Sequence, residues 1–340
     1  MRSLRILSSI VTVAVAFGAS VAILCLVSPE PRETLWWFFV GPFSNVYFFG
    51  NMLASSVPLI FTGLAACVAF SAGAFNLGLE GQYYFSAIVG TIAALNFSNA
   101  TVSRFVALVV SASAGALLSF VPALLKVKFS FNELIGTYMV GQIFVYVGDY
   151  LLNGPFRDPS AAFSATRYLN ENVRLTRILP PSSLHVGYLI GIMLCFLFYF
   201  LYRYSTLGYE FRTVRGNPRF AKIHGINVDK ILLIAMSLSG ALAALGGMID
   251  VLGVHGRAVK GFSHGSGFIG IAASLLANND PSLIFLSALF LAYLDSGAEI
   301  ASLMVQTPPE IARFVQGIVL CMVTAQFFLE RRELDADSTA

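Results

Sequence analysis

Apolar segments of bilayer-spanning length recur from one end of this sequence to the other. A transmembrane helix needs about 20 predominantly apolar residues, and only helices and closed barrels satisfy their backbone groups in lipid. The segments lack the alternating, period-two pattern of strands, so they predict helices. The apolar windows are residues 6–27, 46–70, 82–97, 105–125, 134–152, 184–202, 231–253, 268–276, 283–300 and 311–329.

The composition excludes a water-soluble protein. The chain is 57% hydrophobic and 11% charged, with a mean hydropathy of +0.76, whereas a soluble domain carries about 25% charged residues. We therefore predict an all-α fold, a polytopic transmembrane bundle of about ten helices forming one domain over residues 1–340. Eight or nine helices are the alternatives, because the windows at 82–97 and 268–276 are short and are predicted to be interrupted near the centre of the bundle.

Basic residues set the predicted orientation, since cytoplasmic loops carry an excess of Lys and Arg. With ten crossings, both chain ends and the loop 203–230 are cytoplasmic and the loop 153–183 is extracytoplasmic. Arg2 and Arg5 precede the first window as in a secretory signal, but that window exceeds the roughly 7–15 apolar residues of a cleaved one, so we interpret it as a retained helix. The net charge of +3 follows from this bias and gives no reason to invoke nucleic acid.

Motifs that carry chemistry are few. The sequence contains no P-loop, GxxxxGK[ST], to cradle nucleotide phosphates, and its four cysteines lie in apolar windows without metal-ligand spacing. GFSHGSG at 261–267 sets Ser263 and Ser266 beside His264, which raises the alternative of an intramembrane serine protease. A nucleophile needs an oriented base and an oxyanion hole, and adjacency supplies neither. We predict no catalytic residues, no metal, no cofactor in this chain and no enzymatic activity.

A polar stretch, SAGAFNLGLEGQ at 71–82, interrupts the apolar sequence. An ionisable side chain at bilayer depth costs roughly 2.5–3.5 kcal/mol on insertion scales, so Glu80 points to a pathway or ligand site. We predict that the three glycines break a helix near the midplane and that Asn76, Glu80 and Gln82 offer hydrogen-bonding groups to a polar solute. The alternative is that Glu80 lies at the interface or caps the helix beginning near Gln82, where the dipole favours negative charge.

Two segments of the chain resemble each other. FNLGLEGQYYFSAIVG (75–90) and SHGSGFIGIAASLLAN (263–278) each join a Gly-rich polar stretch to a short helix of small residues. Repeated halves with interrupted helices at matching positions build the central site of many transporters. Chance similarity in a Gly- and Ala-rich chain is the alternative.

The loop 203–230 is too polar for lipid and too long for a minimal turn. Asn217-Pro218 can start a short helix, with proline in the first helical position, and Gly225 can end it. We predict an amphipathic helix on the cytoplasmic face that docks a soluble partner. A solvated basic loop is the alternative.

Four ordered blocks resemble the membrane-spanning permease of a bacterial ATP-binding cassette (ABC) importer, in the nucleoside and simple-sugar branch of the branched-chain-like permeases. FNLGLEGQ (75–82) is similar to the family's N-I-G-x-E-G-Q block, and FNELIGTYMVGQI (131–143) resembles its N-E-V-I-x-T-x-M segment. EFRTVRGNPRFAKIHGINV (210–228) is similar to its coupling loop, and 237–281 to the long block that follows. The match spans most of residues 50–325.

The resemblance implies a permease subunit that moves a nucleoside-like solute inward with energy from a separate ATPase. It implies cytoplasmic ABC ATPase subunits, a second, non-identical permease subunit and an extracytoplasmic solute-binding lipoprotein as partners, at a bacterial inner membrane whose lipid surrounds the bundle. The predicted pathway residues are Phe75, Asn76, Glu80, Gln82 and Phe268. The predicted ATPase contacts are Glu210, Gly216, Ala221 and Gly225.

The sequence leaves the solute open. Gly141, His264 and Ile269 depart from the residues that relatives often carry, which are asparagine, proline and an acidic residue respectively. Riboflavin is an alternative because the aromatic side chains within 75–85 suit a flavin ring, and a simple sugar is another. A stand-alone secondary transporter is the alternative from a different class.

Overall fold

The computed structural model describes residues 30–305 together with Gly18 and Gly317. In this part of the chain the regular structure is helical, with two isolated β-bridges and no strand, which confirms the all-α prediction. The windows predicted at 6–27 and 311–329 lie outside the described residues. The helices are α1 (Pro31–Phe39), α2 (Val46–Ser71), α3 (Leu79–Ala94), α4 (Ala100–Phe129), α5 (Glu133–Asn153), α6 (Gly187–Tyr204), α7 (Thr206–Gly216), α8 (Pro218–Ile223), α9 (Val228–Asp250), α10 (Ser266–Leu276) and α11 (Ile284–Val305).

The helices agree with the predicted windows. Every window within the described range coincides with one helix, and five described helices are long and apolar enough to cross a bilayer: α2, α4, α6, α9 with its π-helical extension to His255, and α11. This confirms a multi-pass membrane protein. Helices α3 and α10 have 16 and 11 residues, and a non-helical stretch precedes each, as predicted for interrupted helices. Helix α1, which starts with Pro31, has no predicted counterpart.

The chain divides into two compact units: Ser56–Ala288, and the described residues before and after it. In the second unit, Phe38 of α1 is buried against apolar side chains of α11, and Tyr293 donates a hydrogen bond to the carbonyl oxygen of Phe39 at 3.0 Å. Gly297 permits this approach, because a Cβ there would lie 2.2 Å from the carbonyl oxygen of Phe38.

Helices α4 and α9 pack closely in the larger unit. A Cβ on Gly115 of α4 would lie 2.3 Å from the carbonyl oxygen of Gly240 on α9. One turn along, Ser111 Oγ donates to the carbonyl oxygen of Ala244 at 2.9 Å. Small residues let membrane helices approach this closely. Helix α3 packs against both of these long helices.

Two motifs of the larger unit share one plan: a long helix, a break and a short helix. Helix α2 is followed by the break 72–78 and then by α3. Helix α9, with its π-helical end, is followed by residues 256–265 and then by α10. The short helix of each motif runs parallel to the long helix of the other, so the two segments paired by sequence similarity hold equivalent places. The hydrogen bonds Asn76–Ser239 and Tyr83–Asp250 follow one another in the same order along the first break with α3 and along α9. The hydrogen bonds Thr62–Ser266 and Cys67–Asn279 do the same along α2 and along α10 with the residues after it.

Candidate functional site

The break at 72–78 brings the polar residues of the first motif together. Gly73 adopts φ +75°, a left-handed conformation that favours glycine, and Gly78 is the N-cap of α3. The helix therefore begins at Leu79, ahead of Gln82. The prediction that all three glycines break the helix is wrong for Gly81, which lies in the first turn of α3.

Glu80 is buried, with 9% of its surface exposed, and its carboxylate accepts three hydrogen bonds from the start of α10. Ser263 Oγ donates at 2.5 Å, the Gly265 N–H at 3.2 Å and the Gly267 N–H at 2.8 Å. Gly265 is the N-cap of α10. Since the first N–H groups of a helix lack partners within it, Glu80 caps α10 from the neighbouring helix.

Glu80 thus stands at two helix N-termini, the first turn of α3 and the cap of α10. The positive end of each helix dipole favours a negative charge there. Gly267 makes the approach feasible, because a Cβ on it would lie 2.3 Å from the Glu80 nitrogen. The alternative drawn from the sequence is that Glu80 caps α3, but the hydrogen bonds of its carboxylate cap α10. Contact of Glu80 with solute stays a prediction.

Asn76 and Gln82 form a closed amide pair in the protein interior. Asn76 Nδ2 donates to Gln82 Oε1 at 2.8 Å, and Gln82 Nε2 donates back to Asn76 Oδ1 at 3.0 Å. Asn76 Nδ2 also donates to Ser239 Oγ of α9 at 3.0 Å. Since an unpartnered buried amide costs about 1–3 kcal/mol, these bonds fix the shape of the break. Both side chains are buried, and the pathway role predicted for them stays a prediction.

Helices α3 and α5 cross at glycines. A Cβ on Gly81 would lie 2.1 Å from the carbonyl oxygen of Gly141, and one on Gly141 would lie 2.9 Å from the Gly78 Cα. Thr137 Oγ1 accepts the Leu77 N–H at 3.0 Å beside this crossing. A larger side chain at position 141 would force α3 and α5 apart. Helix packing therefore explains the glycine at this position, where the family it resembles often carries asparagine.

Phe75 and Phe268 are the exposed members of the predicted pathway set. Phe75 is 43% exposed and Phe268 is 40% exposed. Each is next in sequence to a buried residue, Asn76 or Gly267, of the junction, which comprises residues 76–82 together with residues 263–267. The structure therefore brings the five predicted pathway residues to one place, where the starts of α3 and α10 meet. Three of them are tied into internal hydrogen bonds, and two present aromatic surface.

Two tyrosine–carboxylate pairs were missed by the sequence analysis. Tyr83 Oη donates to Asp250 Oδ2 at 2.8 Å, and His255 Nε2 lies 3.5 Å from the same oxygen. Tyr84 Oη donates to Asp149 Oδ1 at 2.7 Å. The adjacent tyrosines after Gln82 were a visible signal, but their partners on α9 and α5 are distant in sequence.

The serine protease alternative receives no support from the geometry. Ser263 Oγ donates to Glu80, and no hydrogen bond joins His264 to Ser263 or Ser266 within the described residues. A nucleophile without an oriented base is inactive. Over the same residues, no group of three His, Cys, Asp or Glu side chains could hold a metal ion.

The loop 203–230 contains α7 and α8, and the residues predicted to start and end its short helix lie where the sequence places them. Asn217 Oδ1 accepts two backbone N–H groups of α8 at 3.0 Å each, Pro218 opens that helix, and Gly225 follows it at φ +81°. These features confirm the short helix that the sequence predicts.

The predicted ATPase contacts differ in exposure. Ala221 is buried, Glu210 is half-buried, and Gly216 and Gly225 are exposed with open space where a Cβ would be. Sequence reasoning missed two apolar side chains of α8, Phe220 at 49% and Ile223 at 82% exposed. These two side chains leave apolar surface exposed on α8.

The break and the loop touch. A Cβ on Gly73 would lie 3.3 Å from the Cα of Arg215, which lies near the end of α7. Both residues are exposed, so this is a close approach of two backbone segments at the surface of the larger unit. The loop 203–230 is thereby joined to the residues before Glu80.

Comparisons with known proteins agree with this architecture. A family model described as the permease component of the branched-chain amino acid transport system matches residues 48–324. The chain is 31% identical to the guanosine ABC transporter permease protein NupP of Bacillus subtilis (strain 168), over 84% of each chain. It is 28% identical to the glucose ABC transporter permease protein TsgB13 of Haloferax volcanii, over 95% of this chain and 88% of that one.

A further relative is the riboflavin import permease protein RfuC of Treponema pallidum, named as probable, at 26% identity over 95% of this chain and 86% of that one. Among solved structures, an inward-facing ABC transporter of the metal-chelate type matches with a TM-score of 0.50 at 14% identity, over 96% of this chain and 99% of that one. This last likeness concerns the fold alone.

Proposed function

Since this chain belongs to the family of branched-chain amino acid transport system permease components and is an ABC transporter permease subunit, we propose that it moves a nucleoside-like solute inward. The observation that carries the solute class is the similarity to the guanosine permease along 84% of both chains. Relatives named for glucose and riboflavin keep a simple sugar and riboflavin as the alternatives.

The exposed rings at the junction favour a solute with an aromatic base. Phe75 and Phe268 are each about two-fifths exposed, and an aromatic side chain that stacks on a base contributes about 1–3 kcal/mol. The neighbouring amides of Asn76 and Gln82 are already paired with each other. Glucose has no aromatic ring to stack on the exposed phenylalanines, so this arrangement fits a nucleoside or a flavin better.

Three kinds of partner complete the proposed importer. ATPase subunits bind the cytoplasmic loop 203–230 through α8, where Phe220 and Ile223 are exposed. A second, non-identical permease subunit faces the junction, and a solute-binding lipoprotein docks outside on the loop 153–183. Lipid covers the remaining apolar surface.

The proposed mechanism follows the contacts from the loop to the junction. Closure of the ATPase moves α8 and α7, and the backbone contact of Arg215 with Gly73 passes the movement to the break. The amide pair holds the break to α9, and Glu80 holds the start of α3 to α10. The junction therefore moves as one body and exposes the pathway to one side of the membrane at a time.

Uptake by reconstituted importer tests the solute class. The permease, its sibling and the ATPase are placed in liposomes with ATP on the cytoplasmic face, and labelled guanosine, riboflavin and glucose are offered with the purified receptor. We expect guanosine to accumulate and unlabelled adenosine to compete with it. Accumulation of riboflavin or glucose without guanosine would show the solute class to be wrong while leaving the importer intact.

A further inference from the structure

Helix α1 concentrates the tryptophans of this protein. Both tryptophans of the chain, Trp36 and Trp37, lie in this nine-residue helix, and their rings meet edge to face with centroids 4.6 Å apart. At 1.5 Å of rise per residue the helix is about 14 Å long. It is therefore too short to cross a hydrocarbon core of roughly 30 Å.

One side of α1 is fixed to α11. Phe38 is buried against apolar side chains of α11, and a Cβ on Gly41 would lie 3.0 Å from Cγ2 of Ile300. Tyr293 donates its hydrogen bond to the carbonyl oxygen of Phe39 at 3.0 Å. These contacts hold α1 in one orientation, so its exposed side chains have a defined position.

The exposed side chains of α1 and of the residues after it form an apolar ridge. Trp36, Phe43 and Tyr47 are 48%, 58% and 49% exposed, and Val40 and Phe49 are also exposed. Trp36 and Val40 are one turn apart, the Phe43 N–H donates to the carbonyl oxygen of Val40 at 2.9 Å, and the rings of Phe43 and Phe49 lie 6.1 Å apart. The apolar ridge, defined by these five residues, therefore runs from α1 into the start of α2.

The apolar ridge lies where charged sequence gives way to apolar sequence. Glu30, Arg32 and Glu33 are exposed at the start of α1, and the next charged residue of the chain is Glu80. Helix α2 begins at Val46 and is long and apolar enough to cross the bilayer, so the residues just before it belong at the membrane surface. Trp and Tyr are enriched at this level, because each ring has an apolar body and a polar tip.

We propose that the apolar ridge binds the phospholipid interface, at the level of the glycerol groups and upper acyl chains, and that α1 anchors α11 there. A short helix with an aromatic face and charges at one end suits a position along the membrane surface. The three charged residues at the start of α1 sum to one negative charge, so the contact is made by the rings and not by attraction to anionic headgroups. The inference goes beyond the proposed function and holds for any transported solute.

Quenching of tryptophan emission by brominated lipid tests this placement. The protein, purified with its partner subunits, is placed in nanodiscs of phosphatidylcholine that carries bromine near either the glycerol end or the methyl end of its acyl chains. The emission of Trp36 is the difference between the unmodified complex and Trp36→Phe, so tryptophans of the other subunits cancel. We expect bromine near the glycerol end to quench it at least about twofold more than bromine near the methyl end, and iodide in the water to quench it little.

Trp37→Phe supplies the matched control. Trp37 is partly buried, and its Cε3 would lie 3.4 Å from a Cβ on Gly41, so its difference emission should be quenched less than that of Trp36 by both lipids. Equal quenching of the two tryptophans by bromine near the glycerol end would overturn the proposal, because the exposed side of α1 would then not be the side that meets lipid.

The other outcomes separate the possible surroundings of the apolar ridge. Quenching of Trp36 by iodide but by neither lipid would place it in water, and protection from all three quenchers would place a protein subunit over it. Stronger quenching by bromine near the methyl end would place it in the hydrocarbon core. Each of these results would overturn the proposal, as would lipid quenching that appears only when phosphatidylglycerol is added, since the contact would then depend on Arg32.

Discussion

The Glu80 carboxylate accepts the backbone N–H of Gly267 at 2.8 Å, so helix α3 supplies the cap of helix α10. The two residues are far apart in sequence and belong to the two motifs that share a long helix, a break and a short helix. Because the same carboxylate also lies in the first turn of α3, one side chain joins the starts of both short helices. The polar junction depends on this residue.

Glu80→Gln should weaken the junction without unfolding the protein. The amide is nearly isosteric but neutral, and hydrogen bonds to a charged group contribute about 1.5–3 kcal/mol. We expect a loss of about 2 kcal/mol in the free energy of unfolding and reduced uptake, with assembly with the ATPase retained. Thermal unfolding in detergent, co-purification and uptake measure these effects.

Glu133→Gln is the control for Glu80→Gln, because Glu133 pairs with a single partly exposed residue, Lys126, at 2.5 Å. Such a pair contributes about 0–1 kcal/mol. Equal effects of the two changes on uptake and on unfolding would contradict the special role of Glu80.

Gly73→Ala should uncouple ATP hydrolysis from uptake. At φ +75° any other residue is strained, by about 1–2 kcal/mol, and its Cβ would press on the backbone of Arg215. We expect ATPase activity to persist while uptake per ATP falls several-fold, measured in one set of proteoliposomes.

Gly261→Ala provides the matched comparison for Gly73→Ala. Gly261 has φ +74° but open space where its Cβ would be, so this change adds the same backbone strain without the contact. Uncoupling by both variants to the same degree would assign the effect to strain and remove Arg215 from the account.

The short helix of the loop 203–230 could be predicted from sequence because its signals are local. Asn217, Pro218 and Gly225 act on their own or adjacent backbone groups, and no distant partner is needed. The breaks before α3 and α10 were predicted in the same way, from glycines set among apolar residues. Helix caps and glycine breaks depend on a few neighbouring residues, so a single sequence is enough to predict them.

The partners of Glu80 could not be predicted from sequence because they depend on how distant helices pack. The sequence indicated a cap on α3 or a contact with solute, whereas the hydrogen-bond donors come from the start of α10, where Gly267 leaves room for the approach. Gly81 shows the same limit. It reads as a helix breaker, but its role is set by Gly141 on α5.

Phe268→Leu should alter solute handling and leave stability nearly unchanged. The ring is 40% exposed, so little packing is lost, whereas a stacking partner for the solute is removed. We expect the KM for guanosine uptake to rise several-fold with the melting temperature held within a few degrees.

Asn76→Ala is the contrasting variant for Phe268→Leu. It strands the buried amide of Gln82, which costs about 1–3 kcal/mol, so we expect a lower melting temperature. An unchanged KM in Phe268→Leu would remove that ring from the pathway.

Ile223→Asp should weaken the association with the ATPase. Ile223 is 82% exposed on α8, so the substitution leaves internal packing intact, and loss of an apolar anchor at the centre of an interface typically costs 2 kcal/mol or more, about thirtyfold in affinity. Co-purification and the ATPase Kd measure the change. Ile178→Asp, at a 42% exposed site on the loop 153–183, should leave ATPase binding unaltered, and an equal loss there would contradict docking on α8.

ATP dependence of uptake by the reconstituted complex tests the central claim most directly. Labelled guanosine is supplied with the receptor, and accumulation is compared with ATP, with a non-hydrolysable analogue and with the ATPase omitted. A permease subunit of an importer should accumulate guanosine only with ATP and the ATPase present. Uptake by the permease alone, at the same rate with or without ATP, would contradict the account.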